Sequence, residues 1–190
     1  MVAAFRGLWS SIHLLRPKAS LILFLMPFLV TLPAESQQPR FGIFMPKLDV
    51  FTLTPDVTDR VNSYFRSPPG EIPLADYPII SEDDLLSYDW STHTLLLRHS
   101  IWHKLPEPAV HGAPFVVVAD GAPLYVGAFW TSISSLSTPV PVIMWDRRRE
   151  STRLAIQRGY PSPKAAEGVA DPRANSRLWK VLEELGKLKR

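Results

Sequence analysis

The segment from Phe115 to Phe129, FVVVADGAPLYVGAF, constrains the fold more than any other part of the chain. Two apolar runs flank the pair Asp120-Gly121. A two-residue loop of this kind needs φ > 0 at both positions, which Asp and Gly tolerate, so an antiparallel hairpin is expected. Such a loop pairs Ala119 with Ala122, Val117 with Leu124 and Phe115 with Val126. It also sets Pro123 opposite Val118, where its missing N–H removes no bond to the partner strand. One face then carries Phe115, Val117, Leu124 and Val126, and the other Val116, Val118, Tyr125 and Phe129. Both faces are apolar, so the hairpin is expected to be covered on both sides.

The remaining elements are read around this hairpin. Leu48–Leu53 has the β-branched and aromatic content of a first strand. Thr54-Pro55-Asp56 opens a helix with a cap, a proline at its first position and an acid at its positive end. Val57, Val61, Tyr64 and Phe65 give that helix one apolar face, and Ser67-Pro68-Pro69-Gly70 ends it. Ser81-Glu82-Asp83-Asp84 has the form of a capping box and predicts a second, short helix. Thr94–Arg98, Val140–Trp145 and Thr152–Gln157 read as strands. Asp171-Pro172 starts a C-terminal helix over 172–188, with Leu178, Val181, Leu182, Leu185 and Leu188 facing inward. The sum is an α+β domain: a mainly antiparallel sheet of about five to six strands with two to three packed helices.

The N-terminus reads differently. Arg6, Arg16 and Lys18 precede an uncharged apolar run, Leu21–Leu32, and Ala34-Glu35-Ser36 offers small residues at the spacing a signal peptidase accepts. A spanning helix needs ~20 apolar residues, and this run is shorter and interrupted by Pro27. Residues 1–36 are therefore expected to be a signal peptide or N-terminal anchor. Residues 37–47, with Pro39 and Pro46, are read as an extended tether, and 48–190 as a single domain. Export to the periplasm or outside the cell follows, with membrane contact only through the N-terminal segment if it stays uncleaved.

Composition narrows the function classes. The chain has no cysteine, hence no lipobox, disulfide framework or thiolate site. Its formal charge is +3, but removing Arg6, Arg16, Lys18 and Glu35 leaves 18 bases against 17 acids. Such a near-neutral domain has no phosphate-tracking surface, and nucleic acid is not an expected partner. Arg147-Arg148-Arg149 is flanked by Asp146 and Glu150 and reads as a solvated loop.

Few residues suggest chemistry. There is no Gly-rich phosphate loop and no HExxH, and no cofactor is indicated. His99 and His103 are spaced as two metal ligands on a helix can be, but no third ligand accompanies them, and inward packing of Ile101 and Trp102 explains the segment. A hydrolase could assemble His111, Asp120 and Ser132–Ser135, although no nucleophile elbow is present and Asp120 is already explained as a turn residue. Aromatic residues offer the better surface. Tyr125, Phe129, Trp130, Ser134 and Ser135, where aromatic and hydroxyl side chains leave the hairpin together, form the candidate surface for an unknown small ligand or envelope partner.

The succession IISEDDLLSYDWSTHTLLLR, PFVVVADGAPLYVGAFWTSISS and PVIMWD resembles a pattern in small exported bacterial proteins, often lipoproteins, over about residues 79–146. The resemblance implies an exported bacterial protein and carries over no catalytic residue; unlike the lipoproteins, this chain has no cysteine to acylate. A fainter similarity, a strand ending in an Asp-Gly turn, is to the periplasmic head of the SecD translocase subunit. The expected function is a non-catalytic ligand- or partner-binding domain of the cell envelope, the alternative being the hydrolase.

Overall fold

The computed structural model describes residues 38–47, 57–105, 110–145 and 151–190, all within one compact unit, Ser36–Arg190. Nine strands occur among the described residues. They are β1 (Phe41–Phe44), β2 (Ile80–Ser81), β3 (Leu85–Asp89), β4 (Thr94–Leu97), β5 (Ala113–Ala119), β6 (Ala122–Trp130), β7 (Val142–Met144), β8 (Arg153–Gln157) and β9 (Leu188–Lys189). Two α-helices join them, α1 (Val57–Tyr64) and α2 (Ser176–Glu184). The strands form one sheet in the order β2-β1-β5-β6-β7-β8-β4-β3-β9. Pairing is antiparallel except at β6–β7 and β3–β9.

This order forces the sheet to curl. β2 and β3 are seven strand spacings apart in the ladder, about 34 Å if the sheet were flat. Only Glu82, Asp83 and Asp84 connect them, a reach of at most about 14 Å. The two ends of the sheet therefore come round toward each other. The enclosed face of the strands gathers into a single cluster that includes Phe41 and Ile43 of β1, Phe115 of β5, Phe129 of β6, Ile156 of β8 and Leu95 of β4. α2 supplies Leu178, Val181 and Leu182 to the same cluster, all fully buried. The helix fills the hollow of the sheet.

The outer face of β5 and β6 is covered too. Val116, Val118 and Val126 pack with Phe44, Ile72 and the half-buried Tyr64 and Phe65 of the α1 segment. Farther along, Ala128, Trp130 and Val142 pack with Tyr160 and Met144. The hairpin is thus buried on both sides, as its two apolar faces require.

The hairpin's turn and first pairs match expectation. Asp120 and Gly121 have φ of 46° and 70°, and Ala119 pairs with Ala122 and Val118 with Pro123. The register then slips: Val117 pairs with Tyr125, Val116 with Val126 and Phe115 with Gly127. Leu124 is the extra residue of a β-bulge, and it exchanges the faces of β6 beyond that point. Tyr125 and Phe129 consequently share the inner face with Phe115 and Val117, while Val126 turns outward to Val116 and Val118.

Four further expectations are corrected. Among the described residues the sheet has nine strands and is mixed, with two α-helices, in place of a mainly antiparallel sheet of five to six strands with two to three helices. Residues 37–47 are not simply a tether: they contain β1, which lies between β2 and β5 with Phe41 and Ile43 buried. Its four residues are too few to show a period. Only half of the Ser81–Asp84 capping box forms, the Ser81 N–H and Oγ–H donating to Asp84 Oδ2 at 2.9 and 3.0 Å, and it leads into β3 and not into a helix. Burial starts as in a strand, with Leu85 buried, Leu86 exposed and Ser87 buried, and an irregularity in the ladder between Leu85 and Ser87 leaves the adjacent Tyr88 buried as well. Glu82 is drawn away to cap β1, accepting the Arg40 and Phe41 N–H groups. The C-terminal helix is shorter than 172–188. Asn175 is its N-cap, accepting from the Arg177 and Leu178 N–H groups, while Asp171 folds back onto Arg173. The expected strand at 48–53 and the Thr54–Asp56 cap lie outside the described residues.

Candidate functional site: the cleft beside β7 and β8

β7 runs parallel to β6, so Trp130 and Trp145 finish at the same end of the sheet, with the Trp145 N–H donating to the Trp130 carbonyl at 2.6 Å. β8 is antiparallel to β7 and β4 antiparallel to β8, which brings the start of β8 and the end of β4 to that end as well. The Leu97 N–H bonds the Thr152 carbonyl there, at 2.8 Å, and Trp102 comes next on a 3-10 turn, Trp102–Lys104. Between these pieces is a cleft of about 440 Å³ whose lining includes Trp102, Ser132, Met144, Trp145, Arg153 and Gln157.

Each lining group has a local cause. Alternation along β8 buries Leu154 and Ile156 and exposes Arg153, Ala155 and Gln157. The Ser151 hydroxyl fixes the start of that strand, accepting the Arg153 N–H and donating to the Arg153 carbonyl. The indoles of Trp102 and Trp145 stack, with centroids 6.4 Å apart and planes 9° from parallel. Ser132 comes from the crossover between β6 and β7, which is pinned from two sides. The Tyr160 hydroxyl reaches the Ser132 and Ser134 carbonyls, both at 3.3 Å. The Ser134 hydroxyl donates to the Val110 carbonyl and accepts the Leu136 N–H.

The surface expected from sequence is not a surface. Tyr125, Phe129 and Trp130 are 3%, 2% and 2% exposed and belong to the core. Ser134 is buried and spent on backbone groups; only Ser135 is exposed. The bulge at Leu124 turns Tyr125 and Phe129 inward, a slip that the two-residue-loop register cannot foretell. The exit from β6 nevertheless contributes Ser132 to the cleft. Trp102 and Trp145 are also among the aromatic residues that the sequence offers near strand ends, but nothing in the sequence joins them to Arg153, because the three come from separate elements that only sheet order brings together.

The hydrolase constellation is not assembled. Asp120 sits at the hairpin tip, bonded to Arg40 at 2.8 and 3.2 Å, and His111 lies beyond the other end of β5. That strand alone, seven residues long, separates them by about 20 Å. His99 and His103 are exposed, and no group of three or more metal-ligating side chains occurs among the described residues.

A second hollow, of about 300 Å³, opens at the opposite end of β8 and includes Thr92, Arg158 and Arg173 in its lining. Arg173 is already bonded to both Asp171 carboxylate oxygens and to the Ile156 carbonyl, and it holds the Asp171 carboxyl below the usual range. Nearby, His93 Nδ1 is 2.9 Å from the Tyr88 hydroxyl; burial, then Arg173, lower the imidazole's pKa, while burial raises that of the phenol. These groups knit the β3–β4 turn to the approach to α2. Among the described residues no helix is long and apolar enough to cross a membrane. No family model, curated protein or solved structure matches the chain.

Proposed function

We propose that this protein is an exported cell-envelope domain, periplasmic or extracellular, which binds a small ligand in the cleft beside β7 and β8 and performs no chemistry there. The observation that carries the binding reading is the cleft itself, lined by the half-buried Trp102 with Met144, Arg153, Gln157 and two serines, the core residue Trp145 being stacked on Trp102. Its volume falls in the range of small-molecule sites, and its lining sets apolar side chains beside several polar groups that can fix a ligand's orientation. The described lining contains neither imidazole nor carboxylate, and a guanidinium does not give up its proton near neutral pH. The export half of the reading rests on the basic N-terminal stretch, the apolar run Leu21–Leu32 and Ala34-Glu35-Ser36.

A fragment screen on the folded domain tests it, read through the indole N–H resonances of Trp102 and Trp145 assigned with Trp102→Phe and Trp145→Phe. Saturable shifts confined to these two resonances are expected for some fragments. Shifts at no fragment, or equal shifts across all tryptophans, would overturn the cleft as the site.

A further inference from the structure

We infer that the ligand of this cleft is a glycan of disaccharide size, one ring seated at Trp102 and its hydroxyls bonded by Arg153 and Gln157 at the two ends; the inference rests on the binding reading above. Strand alternation sends Arg153, Ala155 and Gln157 to one face of β8, all exposed and all in the cleft lining. From Arg153 to Gln157 this shelf runs about 13 Å. Long polar arms stand at its ends, and a single methyl group lies between them. Both arms spring from fixed backbone. The Ser151 hydroxyl holds the Arg153 N–H and carbonyl, and Gln157 pairs with Val142 of β7. Met144 follows Ile143, the partner of Ile156, and so comes alongside Ala155 at the middle. Trp102 stands at the Arg153 end, because the Leu97 N–H bonds the neighbouring Thr152 carbonyl and the chain soon turns into the segment Trp102–Lys104.

Polar ends, an apolar middle and a half-buried indole at one end fit linked pyranose rings. A pyranose carries hydroxyls around its rim and C–H groups on its faces. The C–H faces suit apolar and aromatic side chains, here Trp102, Met144 and Ala155. The hydroxyls both donate and accept, as the Gln157 amide and the Ser132 hydroxyl do, and their oxygens can accept from Arg153. None of these three side chains is spent on another group among the described residues. One ring occupies the Trp102 end; reaching Gln157 across Ala155 takes a second.

The probes are cellobiose, maltose and N,N′-diacetylchitobiose, each beside its monosaccharide, glucose or N-acetylglucosamine. Titration followed at the Trp102 indole resonance should give a saturable shift with at least one disaccharide. Its monosaccharide should bind about tenfold more weakly, for want of the second ring's hydrogen bonds. Gln157→Leu should weaken the disaccharide about three- to tenfold and leave the monosaccharide unchanged. Ala155→Leu should fill the middle of the shelf and abolish the disaccharide's shift. Both positions are exposed, and both variants should melt at the parent's Tm. A shift from none of the disaccharides, or one indifferent to both substitutions, would overturn the glycan inference. Fragments that still shift the Trp102 resonance would then leave the cleft standing as a site for another class of ligand, and silence from sugars and fragments alike would remove the cleft as well.

Discussion

Gly112 is where backbone and side chain are most tightly coupled. Its φ is 75°, and a Cβ there would run into the Trp130 ring, which is itself buried on the outer face of the sheet among Val142, Met144 and Tyr160. Gly112→Ala should therefore cost about 2–4 kcal/mol, from left-handed strain plus overpacking. Gly121 has nearly the same φ, 70°, with nothing within 4 Å of its would-be Cβ; Gly121→Ala should cost only about 1 kcal/mol. Urea unfolding of the two variants separates the causes, and equal losses would show that Trp130 packing plays no part. His93 gives a pH dependence. Its folded pKa lies below the ordinary 6.5, through burial first and Arg173 second, against opposition from Asp171 and Asp89. The unfolded chain thus takes up more protons as pH falls through 6.5, and the stability due to neutral His93 is full above that value and lost below it. A protonated ring must also donate to the Tyr88 hydroxyl, turning that hydroxyl's own hydrogen toward buried surroundings. The depressed carboxyls Asp89 and Asp171 act lower, as pH falls through and below 3.8. The urea midpoint should fall between pH 7.5 and 5.5 in the parent and fall less in His93→Asn, a residue that tolerates the φ of 50° found there.

At the scale of elements, the C-terminal tail acts as a clasp. α2 ends where Gly186 and Lys187 N–H groups bond the Glu183 and Leu182 carbonyls, both at 2.9 Å, and the chain then runs along β3. The Tyr88 and Trp90 N–H groups donate to the Lys187 and Lys189 carbonyls at 2.7 and 2.9 Å, and Lys187 Nζ caps the Leu85 carbonyl. Ending the chain after Gly186 strands these groups, beside a fully buried Tyr88, and should cost about 2–4 kcal/mol. A thermal melt unchanged by the truncation would show that β3 holds without β9. The sequence announces its long elements for physical reasons and hides the short ones for the same reasons. β5 and β6 have enough residues to display alternation and a turn pair with a strict φ requirement. β1, β2 and β9, of four, two and two residues, have neither, and are strands only because neighbours supply the other half of each bond. Gly186 is a readable stop that ends α2 near Leu185. The bulge at Leu124 is not readable, because nothing local distinguishes a residue that pairs from one that is skipped.

For the whole molecule, the strand directions set the proposed cleft apart from the N-terminal approach to the fold. β5 and β6 put Asp120 at one end of the sheet, where its backbone N–H bonds the Arg40 carbonyl at 2.7 Å and its carboxylate the Arg40 guanidinium. The cleft lies at the other end. A chain arriving from residue 37 therefore joins the fold at the end away from Trp102, Trp145 and Arg153, and β1 starts only four residues after Gln37. Cleavage after Ser36 would leave the folded part whole, whereas a chain beginning at Leu48, the domain start suggested by sequence, would lose β1. That strand lies between β2 and β5 and brings Phe41 and Ile43 to the core. Burial of two such side chains alone is worth about 3–6 kcal/mol. Their loss, with the ladder bonds to β5, takes most of the stability of a typical domain, about 5–15 kcal/mol. The chain starting at Gln37 should accordingly unfold in urea as one cooperative transition with near-ultraviolet dichroism from its packed tryptophans. The chain starting at Leu48 should show neither, and cooperative unfolding of that shorter chain would mean that the sheet closes around α2 without its second strand.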